Sequence, residues 1–230
     1  MVKHVVLTKF AMKFDDSNPR TRYEEKCGWL ETRMDLLHKY CIPSMLAQSV
    51  PFDWLFLVNP NFKGWSIDHA RKLERYGKIL YIESHWKEDQ TEIGELLSDC
   101  YSDDFICTTR VDSDDIISND FMLNLHCAVN NSGWYGYPNG YIFKNNMLAK
   151  RYYLENPFLS YAEYGPKFKS VFCVSHIHAK PITVINLNES WIQVDHGDNI
   201  KNDAYKKVKN FDAVKFSSSE LDKSRWTLCT

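Results

Sequence analysis

The chain alternates between short apolar segments and amphipathic stretches. Val2 to Phe10 is apolar and rich in β-branched residues, which predicts a buried strand. From Trp29 to Tyr40 apolar residues recur at spacings of three and four, as on an amphipathic helix, and Pro43 restarts or breaks that helix. The same reasoning predicts further strands at 54–58, 78–82 and 105–111, and further helices at 66–76, 88–101 and 118–130.

This alternation of strand and helix is typical of βαβ units, so the sequence predicts an α/β fold with a mostly parallel central sheet. After residue 130 the pattern changes to short aromatic segments, which we interpret as antiparallel additions and loops. They cover 134–143, 147–154, 171–174, 182–185 and 191–194. The polar tail from Lys201 onward is interpreted as a peripheral helix or a partly mobile segment.

Composition limits the classes of function. With 230 residues and 27.0 kDa the chain is expected to form one domain. Lys and Arg number 28 and Asp and Glu 30, so the net charge is −2 and the basic field of a nucleic-acid-binding protein is absent. Any phosphate must therefore be bound by a local device such as a metal ion, a few basic side chains or a helix N-terminus.

The cysteine count and the hydropathy of the chain indicate the cellular compartment in which the protein is expected. The seven cysteines form no C-x-x-C pair, and an odd number cannot all pair within one chain, so a reducing compartment is expected and we assign the protein to the cytoplasm. The apolar segment Val5 to Leu7 is too short for a signal-peptide core. No stretch approaches the length of a membrane span.

The candidate chemistry lies in Asp112-Ser113-Asp114-Asp115, directly after the strand at 105–111. Ligands of parallel sheets collect beyond the carboxyl ends of the strands, which is where this acidic run is predicted to lie. Neighbouring carboxylates repel one another unless a cation is bound, and Mg²⁺ and Mn²⁺ prefer oxygen ligands shared with substrate phosphates. We therefore expect Asp114 to bind a divalent ion that bridges a diphosphate, with Asp112 facing the ribose or assisting through water.

The acidic run has other possible interpretations. The carboxylates would also suit a solvated loop that caps the next helix. A calcium loop of the EF-hand type would need Gly at Ile117 and Glu at Leu123, so that interpretation fails. The motifs of zinc proteases, P-loop enzymes, serine hydrolases with a nucleophile elbow and Rossmann dehydrogenases are absent from the sequence.

An ordered set of short motifs resembles the rhamnosyltransferase family of GT-A-type glycosyltransferases, from the first strand to about Asn202. The segments that carry the resemblance are Leu7-Thr8-Lys9-Phe10, Trp29-Leu30-Glu31-Thr32-Arg33, Tyr40-Cys41-Ile42-Pro43-Ser44 with Ala47-Gln48, Phe52-Asp53-Trp54-Leu55, Thr108-Thr109-Arg110-Val111 with the acidic run and Asp120-Phe121, Pro138-Asn139-Gly140-Tyr141, Asn156-Pro157-Phe158 with Glu163, and Trp191 through Asn199.

The resemblance implies a GT-A fold and transfer of a sugar such as L-rhamnose from a UDP-, dTDP- or GDP-linked donor to a glycan acceptor, with Mn²⁺ or Mg²⁺. It implies that Asp114 is the metal ligand, that His196 completes the metal site, and that Thr8 and Phe10 contact the base. The change of pattern after residue 130 divides the expected single domain into a nucleotide-binding half at about 1–130, an acceptor and metal half at about 131–200, and a C-terminal tail at 201–230. Two positions depart from the family pattern, with Lys9 in place of Arg and Asn59 in place of Asp.

Four further residues complete the predicted site. If transfer inverts the anomeric centre, as expected, a carboxylate must accept the acceptor proton. Glu163, in an aromatic loop where burial would raise its pKa, is the candidate base. Its alternative is an exposed loop glutamate. Arg110 and Arg33 are predicted to contact the phosphates of the donor or to offset the negative charge of the acidic run. Arg33 equally suits a structural ion pair. Asp115 is grouped with the donor-binding residues without a role of its own.

Two alternative functions remain open at this point. A nucleotidyltransferase that makes a nucleotide-sugar would also need a metal and an α/β nucleotide site. It usually carries a Gly-rich loop after the first strand, and Lys9 to Asp16 contains no Gly. A non-catalytic glycan-binding module would need neither a nucleotide nor a metal.

Overall fold

A computed structural model describes residues 2–12, 28–84, 89–102, 104–185, 188–196, 215–217, 221–222 and 224–227. The strands of this part are β1 (Lys3–Ala11), β2 (Asp53–Val58), β3 (Lys78–Tyr81), β4 (Phe105–Arg110), β5 (Ile116–Ile117), β6 (Gly133–Gly136), β7 (Asn139–Lys144), β8 (Met147–Tyr152), β9 (Ser160–Tyr164), β10 (Ile182–Val184), β11 (Trp191–Val194) and β12 (Lys215–Ser217). The helices are α1 (Trp29–Leu36), α2 (Ile42–Leu46), α3 (Ile67–Glu74), α4 (Asp89–Tyr101) and α5 (Phe121–Ala128). A π-helical turn at Leu37–Cys41 joins α1 to α2, and a 3₁₀ turn covers His176–His178.

The larger sheet has seven strands in the order β10-β6-β9-β4-β1-β2-β3. Its pairs are parallel except where β9 meets β4 and β6, so β9 alone runs against the other six. The α/β class with a mostly parallel central sheet is therefore confirmed.

Strand β1 explains why this sheet is covered on both faces. Side chains alternate along a strand, and both sets are apolar here. Val6 and Phe10 join the core beneath α1 and α5, whereas Val5 and Leu7 join the core beneath α4. A strand with two buried faces belongs in the interior of a parallel sheet, which is where β1 lies.

Local signals at two helices act as the sequence predicts. Ser66 caps α3, because its hydroxyl accepts a hydrogen bond from the His69 amide at 3.4 Å. Pro43 lies in the first turn of α2, where its missing N–H is tolerated after the π-helical turn.

The smaller sheet has the order β12-β8-β7-β11-β5. Strands β5 and β11 pair antiparallel, with Trp191 opposite Ile117, so the end of β11 returns to the acidic run that precedes β5. The described parts of the C-terminal tail form β12 and bury Leu221 and Trp226 against this sheet. The peripheral helix or partly mobile segment expected for the tail stays a prediction for its other residues, which lie outside the described part of the chain.

Of the short aromatic segments interpreted as antiparallel additions and loops, 171–174 is a turn without strand pairing. One assignment in the second half of the chain is wrong. The predicted aromatic loop around Glu163 is the interior strand β9, because Glu163 pairs with Ile106 and its main chain completes the sheet between β4 and β6. The motif residues Gly197 to Asn199 and most of the tail lie outside the described residues.

Over the described residues, none of the helices has the length and apolar character needed to cross a bilayer. The cysteines within these residues are free thiols, at positions 41, 100, 107, 127 and 173.

Candidate functional site

The acidic run follows β4 at the carboxyl edge of the parallel strands. The amide of Val111 donates to Leu7 O at 3.3 Å, which keeps the chain beside β1 until the run begins. The chain then turns, and the Asp115 amide donates to Asp112 O at 3.2 Å. Both Asp114 and Asp115 are buried. The run is therefore a fixed turn at the ligand edge of the sheet and not a solvated loop.

Asp114 and His196 meet at this edge. His196 Nε2 lies 2.9 Å from Asp114 Oδ2, and the two side chains are 15% and 10% exposed. Burial raises the pKa of Asp114, but the His196 hydrogen bond and the charge of Arg33 outweigh burial, so that the pKa lies below its usual range. Asp114 is thus an ionised carboxylate beside an imidazole, separated from it by 82 positions in the sequence.

Asp115 connects the acidic run to β11. Its Oδ1 accepts a hydrogen bond from the Val194 amide at 3.0 Å, and the side chain is 2% exposed. Burial and the charges of Asp114 and Asp112 raise the pKa of Asp115 well above its usual value. One residue before His196, Asp195 pairs with Lys144 Nζ at 2.9 Å. These two contacts fix the end of β11 and therefore the position of His196.

Asp112 and Arg110 form a two-pronged ion pair. Arg110 Nε donates to Oδ1 at 3.0 Å and Nη2 donates to Oδ2 at 2.7 Å. The side chains are 21% and 27% exposed, so the pair borders solvent at the same edge. Such bidentate geometry fixes the guanidinium plane. Asp112, expected to face the ribose, thus engages both of its oxygens with Arg110.

Basic side chains surround the acidic run. Lys9 Nζ lies 4.2 Å from the centroid of the Phe172 ring, and Arg110 Cζ lies 5.9 Å from the same centroid. Arg33 donates from Nη2 to Lys9 O at 3.5 Å, and its Nε is buried without a hydrogen-bond partner among the described residues. Lys9 is assigned no role from the sequence alone, although a lysine at the end of a strand that is buried on both faces is a signal of function.

Thr8 and Phe10, predicted to contact the base, lie in the interior. Thr8 Oγ1 donates to Val111 O at 2.9 Å and accepts from Trp54 Nε1 at 2.9 Å. Phe10 is 1% exposed and packs edge-on to Trp65. Alternation along β1 explains the result, because residues 8 and 10 face the core beneath α1 while Lys9 points to the other face. Thr8 thereby positions the residue that precedes the acidic run.

Glu163 is not brought to the acidic run. Its partner in β4 is Ile106, and the strand positions between Ile106 and Asp112 span roughly 20 Å at about 3.3 Å per residue. Its carboxylate accepts hydrogen bonds from the amides of Lys169 at 3.0 Å and Ser170 at 2.7 Å. Burial raises the pKa of Glu163, as expected, but its contacts give it a structural role. Its assignment as the base stays a prediction that this geometry does not support.

Asn59, the other departure from the family pattern, joins three strand ends. Its amide donates to Ala11 O at 2.7 Å, and its side chain donates to Glu83 O at 3.1 Å. Its Oδ1 accepts from the Asn61 amide at 2.9 Å. An aspartate could not make the donation to Glu83, so the carboxamide is suited to this position.

For a metal, the site offers an incomplete ligand set. Among the residues that the structure covers, no group of three His, Cys, Asp or Glu side chains converges on one point. Asp114 and His196 supply two donor atoms on adjacent elements.

The comparisons with known proteins agree with this architecture. A family model described as "Putative rhamnosyl transferase" matches residues 5–203. The chain belongs to this family. The match includes most of β1, the acidic run and His196. Among curated protein sequences, none matches the chain.

Solved structures show the fold of this family member. S. aureus TarS 1–349 in complex with UDP-GlcNAc matches with a TM-score of 0.50 and 12% identity, over 86% of this chain and 60% of that one. The same protein in complex with UDP matches with a TM-score of 0.50 and 11% identity, over 85% and 61%. The chain thus spans about 60% of the length of these structures. With the family match, the expected GT-A fold is confirmed.

Proposed function

We propose that this family member transfers a sugar from a nucleotide-diphosphate donor to a glycan, and that Asp114 and His196 hold a divalent ion against the diphosphate. The observation that carries the proposal is the Asp114–His196 pair at the carboxyl edge of the sheet. The TarS complexes with UDP-GlcNAc and UDP support a nucleotide-sugar as the donor. The family description supports rhamnose as the sugar.

The spacing of the two donor atoms suits Mg²⁺ or Mn²⁺. Two neighbouring ligands of an octahedral ion at about 2.1 Å lie about 3.0 Å apart. The observed separation of 2.9 Å between His196 Nε2 and Asp114 Oδ2 is close to this value. Two protein ligands are also the usual number for an ion that shares its remaining positions with phosphate oxygens and water. When bound, such an ion stabilises the negative charge that develops on the departing diphosphate.

The residues around the pair have separate tasks in this proposal. The low pKa of Asp114 keeps its carboxylate ionised and ready to bind a cation. Asp115 and Asp195 hold the end of β11, so that His196 stays beside Asp114. Asp112 orients Arg110, whose guanidinium faces the same edge as a donor to phosphate oxygens.

Inversion of the anomeric centre would require a carboxylate within reach of the acceptor hydroxyl. Because Glu163 lies roughly 20 Å along the sheet from Asp112, we assign no base from the described residues. Asp112 forms an ion pair with Arg110. Asp112 could therefore contact the ribose directly only if its carboxylate were shared between Arg110 and the ribose.

A donor screen by thermal shift tests this function. UDP-, dTDP- and GDP-linked sugars are added with Mn²⁺ to the wild type, to Asp114→Asn, and to Asp68→Asn, a control on an exposed acid of α3. A donor at 100 times its Kd stabilises the folded protein by about 2.7 kcal/mol, which corresponds to roughly 5–10 °C for a chain of this size. We expect this shift in the wild type and the control, and most of it to be lost in Asp114→Asn.

Two results would contradict the proposal. In the first, no nucleotide-sugar raises the melting temperature, but a free nucleoside triphosphate or a glycan does. A response to the triphosphate would indicate a nucleotidyltransferase, and a response to the glycan would indicate a glycan-binding module. In the second, the melting temperature shifts equally in the wild type and in Asp114→Asn, which would show that Asp114 does not hold a metal ion at the donor site.

A further inference from the structure

A groove of about 560 Å³ lies between the exposed face of α4 and the segment 167–173. Its volume falls in the range of roughly 300–1,000 Å³ that is typical of small-molecule sites. None of the residues assigned to the donor site lines it. The groove is therefore a separate feature of the molecule, on the α4 side of the larger sheet.

The segment that forms one wall is fixed by hydrogen bonds from several elements. Glu163 of β9 binds the amides of Lys169 and Ser170, and Ser98 of α4 accepts from the Phe168 amide at 3.1 Å. Position 94 requires glycine, since a Cβ atom there would lie 2.3 Å from Phe168 O. The wall is thus held in one conformation before any ligand arrives, which lowers the entropic cost of binding.

The lining suits a neutral ligand rich in hydroxyl groups. Glu95 and Asp99 project from α4, and Lys167 and Lys169 project from the opposite wall, so the four charges sum to zero. No ion pair joins any of them within the part of the chain that the structure describes. The lining also includes the amide of Gln90 and the hydroxyls of Thr91 and Ser98. Sugar hydroxyls both donate and accept hydrogen bonds, and this lining offers both kinds of partner.

One end of the groove adjoins the proposed donor site. Cys173 lines the groove, and the preceding Phe172 packs on Lys9 and Arg110 beside Asp112. The first turn of α4 lies at the same edge of the sheet, because Glu92 accepts hydrogen bonds from the amides that follow β3. A ligand in the groove can therefore reach the edge where the acidic run lies.

We propose that this groove binds the acceptor as an uncharged oligosaccharide that extends along α4 and places its reactive end at Cys173. The inference rests on the proposed glycosyltransferase function, because it presumes a donor site beside Phe172. It adds that the acceptor glycan is uncharged, and it adds the surface that recognises this glycan.

The test is binding of the full chain to an array of neutral and acidic oligosaccharides of defined sequence. Three variants are compared with the wild type: Thr91→Trp, which fills the end of the groove near Cys173; Glu95→Ala, which removes one carboxylate; and Leu123→Trp, a control on the exposed face of α5. Residues 91 and 95 are exposed helix positions, so folding is retained. We expect neutral glycans to bind the wild type and the control, and about tenfold weaker binding in both groove variants.

The same proteins are also titrated with the nucleotide-sugars of the donor screen. If nucleotide-sugars bind but neutral glycans do not, or if Thr91→Trp and Glu95→Ala bind glycans as well as the wild type, the groove is not the acceptor site although the donor function stands. A preference of the wild type for acidic glycans would contradict the inference that a lining without net charge selects neutral glycans. If no nucleotide-sugar binds, the proposed function itself fails, and glycan binding to the groove then describes a carbohydrate-binding surface without transfer.

Discussion

The buried His4, at the start of β1, predicts acid sensitivity of the fold. His4 is 2% exposed, and its Nε2 lies 3.0 Å from His126 Nδ1 on α5. His4 Nδ1 has no hydrogen-bond partner among the described residues. Burial, and secondly the charge of His126, lower the pKa of His4 from 6.5 to about 4. The folded protein therefore holds His4 neutral at pH values where the unfolded chain would protonate it.

The size of the effect follows from proton linkage. Between pH 6.5 and 4 the unfolded state binds more protons at His4 than the folded state, so the free energy of unfolding falls as the pH falls. For these two pKa values, lowering the pH from about 7 to about 5 removes about 2 kcal/mol. Below the folded pKa the loss is complete.

Urea denaturation at both pH values measures this loss. The comparison protein is His4→Gln, which keeps a donor for His126 and has no titration in this range. We expect the wild type to lose about 2 kcal/mol more than His4→Gln between the two pH values. Equal losses in the two proteins would refute the reasoning, because the titration of His4 would then not distinguish the folded from the unfolded state.

Three further predictions concern buried contacts, each measured as the free energy of unfolding in urea. Gln48→Leu removes donations to Ser44 O and Ser118 O and an acceptor for the Met122 amide, so we expect a loss of about 1–3 kcal/mol, and little recovery in Gln48→Glu. Gly140→Ala should cost about 1–3 kcal/mol, since a Cβ there lies 2.1 Å from the Trp191 indole; an unchanged stability would show that the indole can move. Asn59→Asp should cost about 1–3 kcal/mol through the lost donation to Glu83 O, and a neutral result would mean that this bond contributes nothing.

The first half of the fold follows from the sequence because each of its elements is long and strongly patterned. β1 and β2 are continuous apolar segments, and α3 carries a cap at Ser66 that marks its start. Such segments bury their own side chains, so their pattern is visible without the rest of the molecule. Their order also predicts the parallel pairing of β1 with β2 and β4.

The second half of the fold is harder to predict from the sequence, because it depends on pairing between strands that lie far apart in the chain. Strand β9 has five residues and exposes Tyr164 while it buries Glu163, so its composition does not distinguish a strand from an aromatic loop. What makes it a strand is the pair of neighbours β4 and β6, which lie far away in sequence. The burial of Glu163 likewise depends on the later amides of Lys169 and Ser170.

At the candidate site, the sequence indicates which side chains to consider but not which contacts they make. The resemblance pointed to Asp114 and His196, and the structure brings these two side chains together. Strand alternation places Lys9, and not Thr8 or Phe10, on the face of Phe172, but the sequence does not show which face of β1 borders the site. The bond from Val194 to Asp115 depends on the register of β11, which no local pattern encodes.

The central claim is that Asp114 and His196 bind a divalent ion together with a nucleotide diphosphate. Its most direct test is calorimetric titration of UDP and dTDP, with and without Mn²⁺, into the wild type and Asp114→Asn. We predict that Mn²⁺ strengthens nucleotide binding about tenfold or more in the wild type and leaves binding to Asp114→Asn nearly unchanged. Nucleotide binding that is equally tight with and without Mn²⁺ in the wild type would contradict the claim.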